Sequence, residues 1–164
     1  MGSRLLGALM ATLKIRRIFD DLIDFLIERY RGDKEDIEVL IDTIVKRCVI
    51  ADREHYKSRR SYAHTNHEPM TVCVSGSIDL LPINNIKGIL VHEIGHIIHL
   101  NFPELVNDLE VGLSTDEEDT YLGVSVDQEV FADAIIYRLF DLHIFYDENK
   151  VQWITTKWLT GKEE

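Results

Sequence analysis

Residues 85–100 read NIKGILVHEIGHIIHL. The last part of this stretch, GILVHEIGHIIHL, contains only aliphatic residues, glycines and four polar residues: His92, Glu93, His96 and His99. Burying polar or ionisable groups among aliphatic side chains costs several kcal/mol unless each of them finds a partner. The stretch therefore predicts a buried segment whose polar side chains share a partner.

Two prolines bound this segment. Pro82 precedes it and Pro103 follows it. Proline is tolerated at the first turn of a helix but breaks a helix interior. We therefore predict one buried helix between the two prolines.

The spacing of the polar residues on that helix predicts a metal site. Each residue turns by about 100°, so His96 lies about 40° from His92 and Glu93 about 100° from it. Two histidines one turn apart can bind one zinc ion at about 2.0–2.1 Å, and Glu93 is placed to contact a water on that ion. This is the HExxH arrangement, with two ligands and a general base. Gly95, inside the motif, lets a neighbouring backbone come close.

His99 lies on the same face but is a poor candidate for the same ion. Seven residues of unbroken helix separate it from His92 by roughly 10.5 Å. We predict a histidine at the edge of the core or on the substrate side.

A third ligand is expected from QEVFADAII, residues 128–136. Glu129 and Asp133 are four residues apart, so both carboxylates point the same way on a helix. Two histidines and one glutamate leave the fourth position of zinc to water, which is the catalytic form of such a site. Asp133 is suited to accept the second ring N–H of a ligand histidine. The alternative is that Glu129 only stabilises the N-terminus of its helix.

HEIGH followed by EVFAD resembles the gluzincin metallopeptidases, whose pattern is HExxH and then ExxxD on a later helix. More narrowly, HEIGHIIHL with EVFADAII is similar to the small ImmA/IrrE-type metallopeptidases, although Ile135 stands where that family tends to have Phe. The resemblance spans residues 70–145. It implies His92, His96 and Glu129 as ligands of one Zn²⁺ ion, and Glu93 as the catalytic residue.

The rest of the chain predicts an α+β fold. Apolar stripes indicate helices over 15–32 and 33–51, β-branched residues indicate a strand over 70–75, and a last helix is expected over 127–145. The type of the tail, residues 151–158, is left open. We predict a single minimal zincin-like domain over 1–164: N-terminal helices within 1–60, and a catalytic core over 70–145 with a small mixed sheet, an active-site helix and a second ligand-bearing helix.

Net charge, cysteine content and the N-terminal residues indicate which partners and which cellular compartment to expect. The formal net charge is -11, from 29 acidic and 18 basic residues, which disfavours nucleic acid and anionic membranes. The two cysteines, Cys48 and Cys73, form no close-spaced motif and favour buried thiols in a reducing compartment, with a single disulfide as the alternative. Basic residues follow directly after the apolar N-terminal run, which argues against a signal peptide. We expect a cytoplasmic protein.

Other candidate residues are weaker. His64 and His67 are expected in a polar loop, with a position beside the active-site cleft as the alternative. Tyr62, Tyr121, Tyr137 and His143 are the candidates for the group that stabilises the oxyanion. Acidic residues 116–119 and a basic group at Lys57, Arg59 and Arg60 are read as solvated loops.

The expected function is zinc-dependent hydrolysis of peptide bonds in a protein or peptide substrate by a metalloendopeptidase. The resemblance adds that the substrate could be a single regulatory protein, and the strand over 70–75 is expected to be the edge along which an extended peptide lies. The alternative is a zinc-containing regulatory or interaction protein with little turnover. A purely structural zinc site would leave Glu93 without a purpose.

Overall fold

The computed structural model describes the backbone of residues 2–51, 63–66, 69–106, 120–121, 124–146 and 156–160, and the side chains of residues 10–51, 63–66, 69–106 and 131–144. Within these ranges the chain is α+β, with four helices, a three-stranded mixed sheet and two two-stranded pairs. The predicted fold class is confirmed at this level, while the zincin-like identity and the division into 1–60 and 70–145 stay predictions.

The helices are α1 (Gly2–Arg29), α2 (Ile37–Arg47), α3 (Ile83–Asn101) and α4 (Val126–Phe140). The strands are β1 (Cys48–Ala51), β2 (Ala63–Asn66), β3 (Thr71–Ser75), β4 (Thr120–Tyr121), β5 (Val124–Ser125), β6 (Leu142–Tyr146) and β7 (Thr156–Thr160). Two 3₁₀ turns, Gly76–Leu80 and Pro103–Leu105, flank α3. Among the described residues, no helix combines the length and the apolar character needed to cross a bilayer.

The apolar stripe predicted for α1 is confirmed. Its buried members recur at helical spacing, which turns one face of the helix to the core; they are Ile15, Ile18, Phe19, Leu22, Ile23 and Leu26. The helix ends at Arg29, before the predicted end at Gly32.

The second helix is shorter than predicted. Leu40 and Ile44 of α2 are buried as expected, but Val45 is exposed, and the helix ends at Arg47. The four residues Cys48–Ala51, predicted to continue the helix, instead form β1. Their prediction as helix is wrong because these residues form hydrogen bonds with a distant strand, and tertiary pairing of this kind overrides local helical spacing.

The mixed sheet has the order β1-β3-β2. β1 runs parallel to β3, with Cys48 opposite Val72, and β2 runs antiparallel to β3, with His64 opposite Cys73. The strand predicted over 70–75 is therefore present as β3, but it is the central strand. The expectation that it is the edge on which a peptide lies is wrong, because both of its edges are already paired.

Helix α3 forms the centre of the core. Leu90, Ile94 and Ile98 have no exposed surface. The helix starts directly after Pro82 and ends at Asn101, two residues before Pro103, so it lies between the two prolines as predicted. After α3 the chain forms the 3₁₀ turn Pro103–Leu105, and residues 107–119 lie outside the described part.

The last helix is also shorter than predicted, and a strand follows it. α4 ends at Phe140, and Asp141 has a positive φ of 56°, the left-handed conformation that commonly terminates helices. Residues 142–145, the end of the predicted helix, instead belong to β6, which pairs antiparallel with β7. Their prediction as helix is wrong, because this pairing with a distant strand overrides the local apolar pattern. The tail whose type was left open thus contributes a strand.

The backbones of α3 and α4 come into direct contact at Gly95. A Cβ atom placed on Gly95 would lie 2.5 Å from the carbonyl oxygen of Ala132 and 3.1 Å from its Cα. Ala132 itself is fully buried. The close approach expected at Gly95 is therefore present, and only glycine fits there.

Replacing Gly95 by alanine tests this crossing. We expect Gly95→Ala to lower the free energy of unfolding by about 1–3 kcal/mol through overpacking, although alanine is favoured over glycine inside a helix by about 1 kcal/mol. Urea unfolding measures the change. Asn84→Ala, at an exposed position of the same helix, is the control and should change stability by less than about 0.5 kcal/mol. A Gly95→Ala protein as stable as wild type would contradict the crossing.

Candidate metal centre

Helix α3 brings the ring edges of His92 and His96 to one point. Their Nε2 atoms are 3.2 Å apart, and the rings stand at 89° to each other with centroids separated by 4.8 Å. His92 is only 4% exposed and His96 is half-buried. The two histidines therefore lie where the i, i+4 spacing predicts.

The second ring nitrogen of His92 contacts α4. Its Nδ1 lies 2.7 Å from Oδ1 of Asp133. Because a carboxylate accepts hydrogen bonds, we assign the proton of His92 to Nδ1, which leaves a lone pair on Nε2. Nε2 of His92 can then accept the N–H of His96, or the two Nε2 lone pairs can bind one cation.

Glu93 completes the group. One ring nitrogen of His92, one of His96 and a carboxylate oxygen of Glu93 all lie within 4.8 Å of one another. Two imidazoles and a carboxylate in so small a space could hold a metal ion.

The geometry of the two histidines fits a tetrahedral ion. Two nitrogens bound to one zinc ion at about 2.0–2.1 Å, at the tetrahedral angle, lie roughly 3.3 Å apart. The distance between the Nε2 atoms of His92 and His96 is 3.2 Å. Neutral imidazole suits zinc, copper, iron and nickel, so the pair defines a transition-metal site but does not select one metal.

The carboxylate of Glu93 also interacts electrostatically with a buried thiol, that of Cys48. Burial, followed by the negative charge of Glu93, raises the pKa of the Cys48 thiol to about 12. The Cys48 thiol therefore stays protonated at neutral pH. Because only the thiolate is a good metal ligand, the protonated thiol of Cys48 is a poor one. No sequence signal marks this interaction, because Cys48 lies on β1 and Glu93 lies on α3, 45 positions later. Cys48 and Cys73 are both buried and are not joined in a disulfide, as expected.

Glu129, predicted to be the third ligand, lies in the first part of α4, and its side chain is outside the described side chains. Its role as a ligand therefore stays a prediction.

His99 stacks on α4. Its ring centroid lies 4.4 Å from that of Phe131. Helix α3 continues unbroken to Asn101, so His99 remains two turns from His92 and outside the metal-binding group of three. This agrees with the predicted place of His99 at the edge of the core.

The weaker candidates are only partly described. Tyr137 and His143 stack on each other with centroids 4.6 Å apart, near the C-terminal end of α4. His64 lies on β2, opposite Cys73. The remaining candidates lie outside the described side chains: Tyr62, His67, Tyr121, the acidic residues 116–119, and Lys57, Arg59 and Arg60.

Comparison of the chain with protein-family models, with curated proteins and with solved structures finds no match. The site therefore rests on its own geometry, and the resemblance to gluzincins stays a prediction.

Removing the carboxylate of Asp133 tests its contact with His92. In the presence of a metal chelator, we expect Asp133→Ala to lower the free energy of unfolding by about 1–3 kcal/mol, because the buried Nδ1–H of His92 loses its acceptor. Asp42→Ala is the control: Asp42 forms an exposed ion pair with Lys46 at 2.9 Å, which should contribute less than about 1 kcal/mol. Equal losses in the two variants, measured by urea unfolding, would argue against a special role for Asp133.

Proposed function

We propose that this protein is a zinc-dependent endopeptidase that hydrolyses peptide bonds in a protein substrate. The observation that supports the proposal most directly is the convergence of His92 Nε2 and His96 Nε2 at 3.2 Å, with Glu93 in the same group. The contact of His92 with Asp133 adds the hydrogen-bonded carboxylate that commonly orients a ligand histidine.

Zinc is the ion we propose for the site. When bound, it supplies a water whose pKa is lowered to about 7 and a Lewis acid for the substrate carbonyl. The group contains both the neutral imidazoles that suit zinc and a carboxylate that does not need to be a ligand. A structural zinc site would have no use for a carboxylate that is not a ligand. The presence of Glu93 therefore favours a catalytic zinc site.

We propose Glu93 as the general base and then the general acid. Its carboxylate takes a proton from the water as the water oxygen attacks the carbonyl carbon of the scissile bond. When the carbon–nitrogen bond breaks, Glu93 passes that proton to the leaving amine. His92, held by Asp133, keeps its Nδ1 proton throughout and so presents the same Nε2 lone pair at every stage.

Glu129 is our proposal for the third ligand. The contacts between the helices run in opposite order, because His92 of α3 meets Asp133 of α4 and His99, further along α3, meets Phe131. Glu129 precedes both of these α4 residues by less than two turns. Its backbone therefore lies toward the side of the crossing on which His96 and His99 stand.

Glu93→Gln separates catalysis from metal binding. We expect peptide cleavage by this variant to fall by about 10²–10⁴-fold, since the amide cannot take a proton, while its zinc content equals that of wild type. Digestion of a broad peptide library, read by mass spectrometry, measures cleavage, and elemental analysis measures zinc. Glu38→Gln, at an exposed position of α2, should behave as wild type. Full activity in Glu93→Gln would rule out the mechanism. Zinc binding by wild type without any cleavage would favour the alternative function, a zinc-containing regulatory or interaction protein.

Glu129→Gln tests the third ligand. We expect its zinc affinity to fall by more than the ~10–100-fold that losing a hydrogen-bond partner of a ligand costs. Asp127→Asn is the matched control, because Asp127 also lies in the first turn of α4. If Glu129 only stabilised the helix N-terminus, the two variants would bind zinc equally well, and both would bind it as wild type does.

A further inference from the structure

The C-terminal end of α4 receives hydrogen bonds from α1. The last carbonyls of any helix lack intrahelical donors and carry a partial negative charge. Nε of Arg29 donates to the carbonyl oxygen of Phe140 at 3.1 Å, and Nη2 of Arg29 donates to that of Asp141 at 2.7 Å. One guanidinium thus satisfies two carbonyls at the end of α4.

The segment that follows α1 adds two more contacts at the same place. The backbone N–H of Arg31 donates to the carbonyl oxygen of Leu139 at 2.7 Å. The guanidinium of Arg31 lies 2.6 Å from Oδ1 of Asp141, and that of Arg29 lies 3.7 Å from Oδ2. Three successive residues of α4 and its end, Leu139, Phe140 and Asp141, are therefore all held from the N-terminal part of the chain.

The contacts of Arg29 differ from ordinary surface ion pairs, which contribute little, whereas the side chain of Arg31 is 48% exposed. The side chain of Arg29 is only 17% exposed and that of Asp141 25%. Arg29 also lies over the ring of Phe25 at 5.3 Å, which directs its guanidinium from within α1. Arg31 lies near the ring of Tyr137, 5.9 Å from its centroid.

The buried face of α4, which includes Phe131, Ile135 and Ile136, sets the rotation of the helix along its length. The contact between Gly95 and Ala132 adds a close approach to α3, and the hydrogen bonds of Arg29 hold the C-terminal end. Rotation of α4 would carry the carboxylate of Asp133 away from Nδ1 of His92, which now lies at 2.7 Å. Asp133 stands about two turns before the end that Arg29 holds.

We propose that Arg29 and Arg31 are positioning residues: by holding the C-terminal end of α4, they reinforce the rotation that its buried face gives the helix, and so keep the carboxylate of Asp133 within hydrogen-bond distance of His92 Nδ1. This assigns a role to α1, which otherwise would serve only to cover the core. The expected effect of Arg29 on zinc affinity rests on the proposed function. Its expected effect on the hydrogen bond between His92 and Asp133 does not.

Arg29→Met tests the proposal, since it keeps the aliphatic stem but removes every donor. In zinc-free protein, we expect the imidazole Nδ1–H resonance of His92 to be lost through exchange with water. We also expect the affinity for Zn²⁺, measured by chelator competition, to fall by about 10–100-fold, the usual effect of loosening the partner of a ligand histidine. Arg29→Lys keeps the charge but cannot make both hydrogen bonds, and should fall between Arg29→Met and wild type.

Asp141→Asn is the second variant, in case Arg29→Met does not fold. Asparagine also tolerates the left-handed conformation of this position, so the backbone is retained while the ion pair with Arg31 is lost. We expect the His92 Nδ1–H resonance to weaken through exchange with water, but less than in Arg29→Met.

Two controls separate positioning from general loss of stability. Ile44→Val removes one methyl group from a fully buried side chain of α2 and destabilises the fold without touching α4. Lys46→Ala breaks the exposed ion pair with Asp42. Both should keep the His92 resonance and the zinc affinity of wild type.

The proposal is overturned if Arg29→Met and Asp141→Asn keep the His92 resonance, or if Ile44→Val loses it to the same extent. If wild type binds no zinc, the proposed function fails while the resonance of the zinc-free protein still decides the role of Arg29. If wild type binds zinc and Arg29→Met retains the resonance, the proposed function stands and the positioning role does not.

Discussion

The arrangement of the candidate site depends on one buried hydrogen bond between two helices. Nδ1 of His92 on α3 and Oδ1 of Asp133 on α4 are 2.7 Å apart, and His92 is almost fully buried. Polar groups in such surroundings are tolerated only when they are paired. The bond therefore ties the positions of the two helices together, and it selects the tautomer of His92 whose Nε2 lone pair faces His96.

The same crossing shows how steric and polar requirements support each other. Gly95 removes the side chain that would keep the helices apart, and Ala132 meets it with its backbone. A larger residue at position 95 would lengthen the distance across which Asp133 reaches His92. Glycine inside a helix is unfavourable by roughly 1 kcal/mol, so its use here is a local cost that allows a closely packed site.

Local sequence predicted the elements that depend on local geometry, and it was wrong where distant pairing decides the structure. The helical spacing of α2 continues to Cys48, which favoured a longer helix, yet Cys48–Ala51 pair with β3 more than twenty positions later. Residues 142–146 extend an apolar helical pattern in the same way, but they pair with β7. In both cases a short apolar run is compatible with helix and strand, and only its partner distinguishes them.

The sequence by itself determined the placing of His92, Glu93 and His96, because the geometry of a single helix turns their spacing into a shared position. The sequence pattern also suggested Asp133 as the acceptor for a ligand histidine, but only the tertiary structure decided that this histidine is His92, 41 positions away, and that Arg29 holds the end of α4 across 111 positions. Contacts of this kind depend on how whole elements pack, and no local period or propensity encodes them.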